Sequence, residues 1–224
     1  MKKISRSNGL AFIKAFSTEG CTEPLIGLAK DILNIDIAEL SFRQPYSICE
    51  KMKFINEKGI SAFRDVVKYW DISANIIMAN KGNLAGDLMV RKSSSNESMY
   101  RPGYEFIERF SLYMGPNPIY RINILDFIEF PQDEDATRQF QLWDKERNIR
   151  GLPYDYIAAF FEYLKTNFEN ANQLYWRDYF QDKDLPPEAP EYIRKAADII
   201  EYSNFNEDER AVLDILDKAE SDRQ

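Results

Sequence analysis

The chain has 224 residues, 29 Lys and Arg against 37 Asp and Glu, and a 44% apolar share, which suits one well-buried core and excludes fibrous, collagen-like and wholly disordered classes. It contains no histidine, and that excludes Ser-His-Asp triads, Cys-His dyads, HExxH zinc sites and imidazole proton shuttles. The net charge of −8 is uneven, at +4 over residues 1–92, −5 over 93–181 and −7 over 182–224, so a polyanion would meet the first part, although such a balance also describes an ordinary solvated face.

Cys21 and Cys49 are too few for a four-cysteine zinc site or a disulfide scaffold and read as reduced thiols of a cytoplasmic protein. No run approaches the roughly 20 apolar residues of a membrane helix, and Met1 to Arg6 lacks the apolar stretch of a secretion signal. The expectation is a protein with no membrane partner.

In chain order, Thr22 to Leu33 sets Leu25, Leu28, Ala29, Ile32 and Leu33 at helical spacing, with Thr22 as N-cap and Pro24 in the first turn. Ile37, Leu40 and Phe42 form a short extended segment. Trp70 to Ala79 and Leu84 to Lys92 read as two strands around a hairpin turn at Asn80-Lys81-Gly82-Asn83. Residues 93–103 read as a loop and 104–114 as a helix. Ile119 to Phe130 is a nearly unbroken apolar run, predicted to be an interior strand covered on both faces. Phe140 to Trp143 and Ile157 to Leu164 supply further strands. Helices follow over 168–181, 188–203 and 206–220, the last opening on Asn206 with Glu209 three residues on. The expected fold is α/β (α+β), with a mixed sheet flanked by helices and a helical C-terminal tail.

No phosphate-binding glycine loop is present. Asp71 and Asp87 remain, on adjacent strands. Two carboxylates so placed can share a Mg²⁺ ion that polarises a phosphodiester and activates water, with a lysine or glutamine two positions after the second acid to orient that water. A tight turn at Asn80 to Asn83 would instead pair Asp87 with Asn75 or Ile76, more than about 10 Å along the ladder from Asp71; a wider loop or a bulge would bring the acids together. Asp65 is the fallback first acid. On spacing alone, strand-end aspartates serving turns and solvent explain the pair better.

Three stretches carry a resemblance over nearly the full length. They are Ser7 to Ser17 with Glu23 to Leu28 and Lys30 to Leu33; Tyr120-Arg121-Ile122-Asn123-Ile124-Leu125-Asp126-Phe127; and Tyr175 to Phe180 with Pro190 to Ile193, Lys195 to Ala197 and Asn206 to Arg210. In these the sequence resembles the PD-(D/E)XK nuclease family transposase group, relatives of the recombination-promoting nucleases. The resemblance implies a restriction-endonuclease-like core over 1–166, a helical extension of the same domain over 167–224, and Mg²⁺-dependent DNA cleavage. Asp71 would match the family's first acid and Asp87-Leu88-Met89 its (D/E)-x-K/Q element, so that Asp71 and Asp87 would hold the metal.

Met89 stands where that family has a lysine or glutamine, Gly9 where it usually has an acid and Ile13 where it usually has a lysine. A thioether neither neutralises a developing phosphorane nor positions water. Arg91 projects to the same face as Asp87 and Met89 and is the substitute cation expected in catalysis. Lys81, Lys92 and Arg101 are the expected contacts to DNA phosphates. The alternative is a nuclease-fold protein without activity that binds DNA or another protein. The aromatic helix 168–181 either packs on the sheet or makes a homo-oligomer.

Overall fold

Asn8 starts the first helix: its side-chain oxygen accepts from the Leu10 and Ala11 N–H groups at 2.9 and 3.4 Å, a side-chain cap that opens α1 (Gly9–Ser17). The computed structural model describes residues 4–6, 8–49, 52, 53, 55, 57, 70–79, 84–93, 117–141, 143, 144, 149, 150 and 156–221. Helix α1 is buried on every side, and Leu10, Ala11, Phe12, Ala15 and Phe16 are fully enclosed. Helix α2 (Glu23–Leu33) has Pro24 in its first turn and ends at Asn34, whose left-handed backbone (φ 54°) lets its N–H donate to Lys30 O at 3.0 Å. Thr22 occupies the position before α2, but its backbone is already helical and its hydroxyl makes no capping bond.

The strands are β1 (Ile37–Phe42), β2 (Trp70–Met78), β3 (Leu84–Ser93), β4 (Ile119–Leu125), β5 (Thr137–Gln141), β6 (Trp143–Asp144), β7 (Ile149–Arg150) and β8 (Tyr156–Glu162). Six of them form one mixed sheet in the order β1-β2-β3-β4-β8-β5, while β6 and β7 pair separately. Neighbours β1, β2 and β3 run antiparallel, β3, β4 and β8 run parallel, and β5 lies antiparallel on β8. The expected α/β architecture with a mixed sheet and flanking helices is the one observed.

Side-chain alternation divides the sheet into two unlike faces. Ile72, Ala74, Ile76, Leu88, Val90, Tyr120, Ile122, Ile124, Ala159 and Phe161 are buried within the hydrophobic core, on the face against which α1 and α2 pack. Residues Asp71, Ser73, Asn75, Asp87, Met89, Arg91, Arg121 and Asn123 alternate with these and share the other face. The run from Ile119 forms an interior strand covered on both faces, as the sequence predicts. It stops at Leu125, short of the expected Phe130, and buried Arg121 and Asn123 make one of its two covered faces polar.

The C-terminal helices are α3 (Ala171–Phe180), α4 (Glu191–Ile199) and α5 (Glu207–Ser221), with a 3₁₀ turn at Tyr202–Asn204. Asn170 caps α3 by accepting from the Gln173 N–H at 3.0 Å. At α5, Asn206 Oδ1 accepts from Glu209 N–H (2.9 Å) while Glu209 Oε2 accepts from Asn206 N–H (2.7 Å), a reciprocal capping box as the sequence suggests. Trp176, Tyr179 and Phe180 are buried beside Phe16, with ring centroids 5.6, 5.9 and 6.3 Å from it. Trp176, Tyr179 and Phe180 of the 168–181 segment are thus core packing, with Phe168 and Tyr175 partly buried against it.

Two buried carboxylates tie the helical layer together. Asp31 on α2 accepts from Trp176 Nε1–H (2.9 Å), Tyr192 O–H (2.8 Å) and Asn172 Nδ2–H (2.9 Å). Lys14 on α1 donates to both carboxylate oxygens of Glu209 at 2.8 Å and to Asn204 O at 2.6 Å, which compensates a cation only 9% exposed. Both cysteines are free thiols, Cys21 buried and Cys49 exposed. Among the described residues no helix is long and apolar enough to cross a membrane. The hairpin turn at 80–83 and the helix expected over 104–114 lie outside the described residues.

Candidate functional site

The polar face of the sheet is the candidate site, because it gathers the sequence-predicted acids with charged groups the sequence did not single out. Three rungs define it. Asp71 lies opposite Arg91, and Arg91 opposite Asn123; Ser73 lies opposite Met89, and Met89 opposite Arg121; Asn75 lies opposite Asp87, and Asp87 opposite Ile119. Strand pairing brings each of these to one face because every rung joins residues of equal phase.

The first rung is an ion pair. Arg91 donates through Nε and Nη2 to the two oxygens of Asp71, a fork-on-carboxylate contact that uses both acceptor atoms. Arg91 is 5% exposed, so the pair also neutralises an enclosed cation. On the third rung, Arg43, just past β1, donates through Nη2 to Asp87 Oδ1 and through Nε to Asn75 Oδ1 (2.9 Å), which ties β1, β2 and β3 together.

Register therefore brings Asp71 to Arg91 and does not bring Asp71 to Asp87. The acids share a face but stand four residue pairs apart, about 13 Å along the ladder at ~3.3 Å per residue. The pairing of Asp87 with Asn75 is one of the two expected for a tight turn at Asn80 to Asn83. A Mg²⁺ ion needs oxygens at about 2.1 Å, so the Asp71 and Asp87 pair does not fit it, and the arginines already take up these carboxylates. No group of three or more Asp, Glu or Cys side chains suited to a metal occurs among the described residues.

Arg121 occupies the centre of the face. Its Nε donates to Asn123 Oδ1 at 3.1 Å, and Asn123 Nδ2 donates to Ala159 O at 3.2 Å. Burial pulls the Arg121 guanidinium below the usual arginine range; Tyr156 and Asp71 oppose that shift, while nearby Arg91 adds to it. Burial likewise raises the Tyr156 hydroxyl, against the pull of Arg121. A tyrosine held protonated donates a hydrogen bond and is no nucleophile. Met89, half-buried between Ser73 and Arg121, supplies neither donor nor charge.

Of the residues expected to meet DNA phosphates, Lys92 is 3% exposed on the opposite, helix-covered face, its Nζ 4.0 Å from Asp126 Oδ2. Strand alternation turns it inward, so it presents no ammonium to an external phosphate. Lys81, Arg101 and the fallback acid Asp65 lie outside the described residues. Arg43, Arg121, Asn123 and Tyr156 were not predicted as site residues. For two of them the signal was present: Arg121 and Asn123 interrupt Tyr120, Ile122 and Ile124 with the period of a two-faced strand.

Among the described residues the face sets Arg91 and Arg121 near Asp71 on one side and pairs Arg43 with Asp87 on the other. Its two carboxylates, among these described residues, are each held by an arginine and do not converge on a metal, an arrangement that braces the sheet. No family model matches the chain, and neither a curated protein nor a solved structure matches it.

Proposed function

We propose that the protein is a nuclease-fold module of the PD-(D/E)XK transposase type that binds DNA and does not cleave it. One observation carries the reading: the residue across from Asp71 is Arg91, a cation where a two-acid metal site requires a second carboxylate. The guanidinium supplies in the chain the positive charge that Mg²⁺ would otherwise bring, and Asp87 is engaged separately by Arg43. The mixed sheet with its helix-covered face, the sequence resemblance, and the +4 balance of residues 1–92 support a nuclease-like scaffold that meets a polyanion.

The test joins two measurements on the full chain. Fluorescence anisotropy with a duplex should show binding at low salt whose affinity falls steeply as salt rises. A supercoiled plasmid incubated with Mg²⁺ or Mn²⁺ should stay intact at the level of protein-free buffer. Metal-dependent nicking that disappears in Asp87→Ala would reinstate cleavage. The absence of salt-sensitive binding would remove DNA as the partner and leave a protein-binding module.

A further inference from the structure

We infer that the edge strand β5 is a self-association surface, on which a second copy of this chain adds its own β5 antiparallel about a two-fold axis through Gln139. Among the described residues β5 is the last strand of the sheet, and Gln139, Phe140 and Gln141 are all exposed, Phe140 to 45%. The strand reads Thr-Arg-Gln-Phe-Gln with continuous register against β8. It thus lacks the lysine, proline or bulge that commonly blunts an edge.

Hydrogen-bond phase selects the register. Glu162 N–H donates to Ala136 O at 2.8 Å, and the pairing continues as Arg138 with Phe160 and Phe140 with Ala158. In an antiparallel ladder of that phase Arg138 and Phe140 bond inward to β8, and the N–H and C=O groups of Thr137, Gln139 and Gln141 point outward. A two-fold axis at Gln139 sets Gln139 against the partner subunit's Gln139 and Thr137 against the partner subunit's Gln141 as hydrogen-bonded pairs. Arg138 then stands directly across from the partner subunit's Phe140, in the non-hydrogen-bonded pair where side chains lie closest.

The chemistry of that pair is self-complementary. Arg138 already lies over the Phe130 ring, 5.1 Å from its centroid, and is anchored by Asp133. Phe140 packs on Phe130 and Phe160, each 5.5 Å away, and keeps an outer surface open. Pairing extends each guanidinium onto a ring of the other chain, twice by symmetry. A two-fold axis through Arg138 would instead oppose like charges and require inward-bonded groups to point outward. The short strand makes the dimer weak, with a dissociation constant on the order of 10–100 µM.

Sedimentation velocity at about 5 and 200 µM reads the outcome. The wild-type chain should move from monomer toward dimer, and Phe140→Lys, which sets an ammonium against Arg138, should weaken association about tenfold or more with an unchanged circular dichroism spectrum. Independently of how that variant folds, Gln139→Cys in a Cys49→Ser background should form a disulfide-linked dimer on mild oxidation, since paired Cα atoms about 5.5 Å apart lie within disulfide reach. Cys49→Ser alone should not cross-link. A wild-type monomer at about 200 µM, undiminished association of a folded Phe140→Lys protein, or failure of the Gln139→Cys protein to cross-link overturns the inference.

Discussion

Asp71 and Asp87 put the same carboxylate on the same sheet face, yet their removal has different costs. Arg91 beside Asp71 has only 6% of its side chain exposed, whereas Arg43 beside Asp87 has 32%. Asp71→Asn weakens the fork on an enclosed guanidinium and is expected to cost about 2 kcal/mol, while Asp87→Asn, whose partner is more exposed, is expected to cost about 1 kcal/mol or less. Urea denaturation of the two variants side by side checks this ordering. A larger loss for Asp87→Asn would mean that the Arg43 contact, rather than the Arg91 fork, secures the strands. The same comparison shows how far single residues were legible. The separation of the two acids followed from a tight hairpin and strand spacing, and the pairing of Asp87 with Asn75 in that hairpin also sets Arg91 across from Asp71; what strand spacing does not show is that the two side chains close into a fork.

At the level of elements, legibility followed periodicity. Helix α2 and the C-terminal helices show stripes and caps, and their spans were found to within a few residues. Helix α1, buried on all sides, has no amphipathic stripe to detect and was legible only through a family-like run. Strand β4 is buried on both faces as its apolar run suggests, but the polar character of one face was hidden because its apolar residues outweigh Arg121 and Asn123 in a window of its length. Packing between α2 and α4 offers a direct test. Gly27 sits inside α2, where alanine ordinarily gains about 1 kcal/mol of helix propensity. A Cβ there would overlap the ring of Tyr192, and that ring cannot swing away freely while its hydroxyl donates to Asp31. Gly27→Ala is therefore expected to destabilise by about 1–2 kcal/mol net, visible as a lower Tm. A rise in Tm would show that the two helices separate more readily than their contacts imply.

Across the whole molecule, tyrosine hydroxyls set the alkaline limit. Burial raises the hydroxyls of Tyr46, Tyr163, Tyr179 and Tyr192 far above the usual tyrosine range, helped by Glu209 at Tyr46 and by Asp31 at Tyr192. A group whose folded form holds its proton more tightly stabilises the fold below the unfolded value of about 10 and loses that contribution as pH rises beyond it. Stability should thus fall progressively above about pH 10. Tyrosinate absorbance should show the exposed rings titrating first and these four ionising together with the loss of far-ultraviolet dichroism. Smooth ionisation of all 13 tyrosines with the secondary structure intact would contradict it.

The bond between Lys14 and Glu209 joins positions 195 residues apart. On the ribosome, synthesis at about 5–20 residues per second delivers the lysine some 10–40 s before its carboxylate. Until then α1 carries a cation without the carboxylate that neutralises it in the fold. The nascent chain can lay down strands in that interval, but Lys14 gains its counter-charge only once α5 has emerged, so the core around α1 is completed after the sheet.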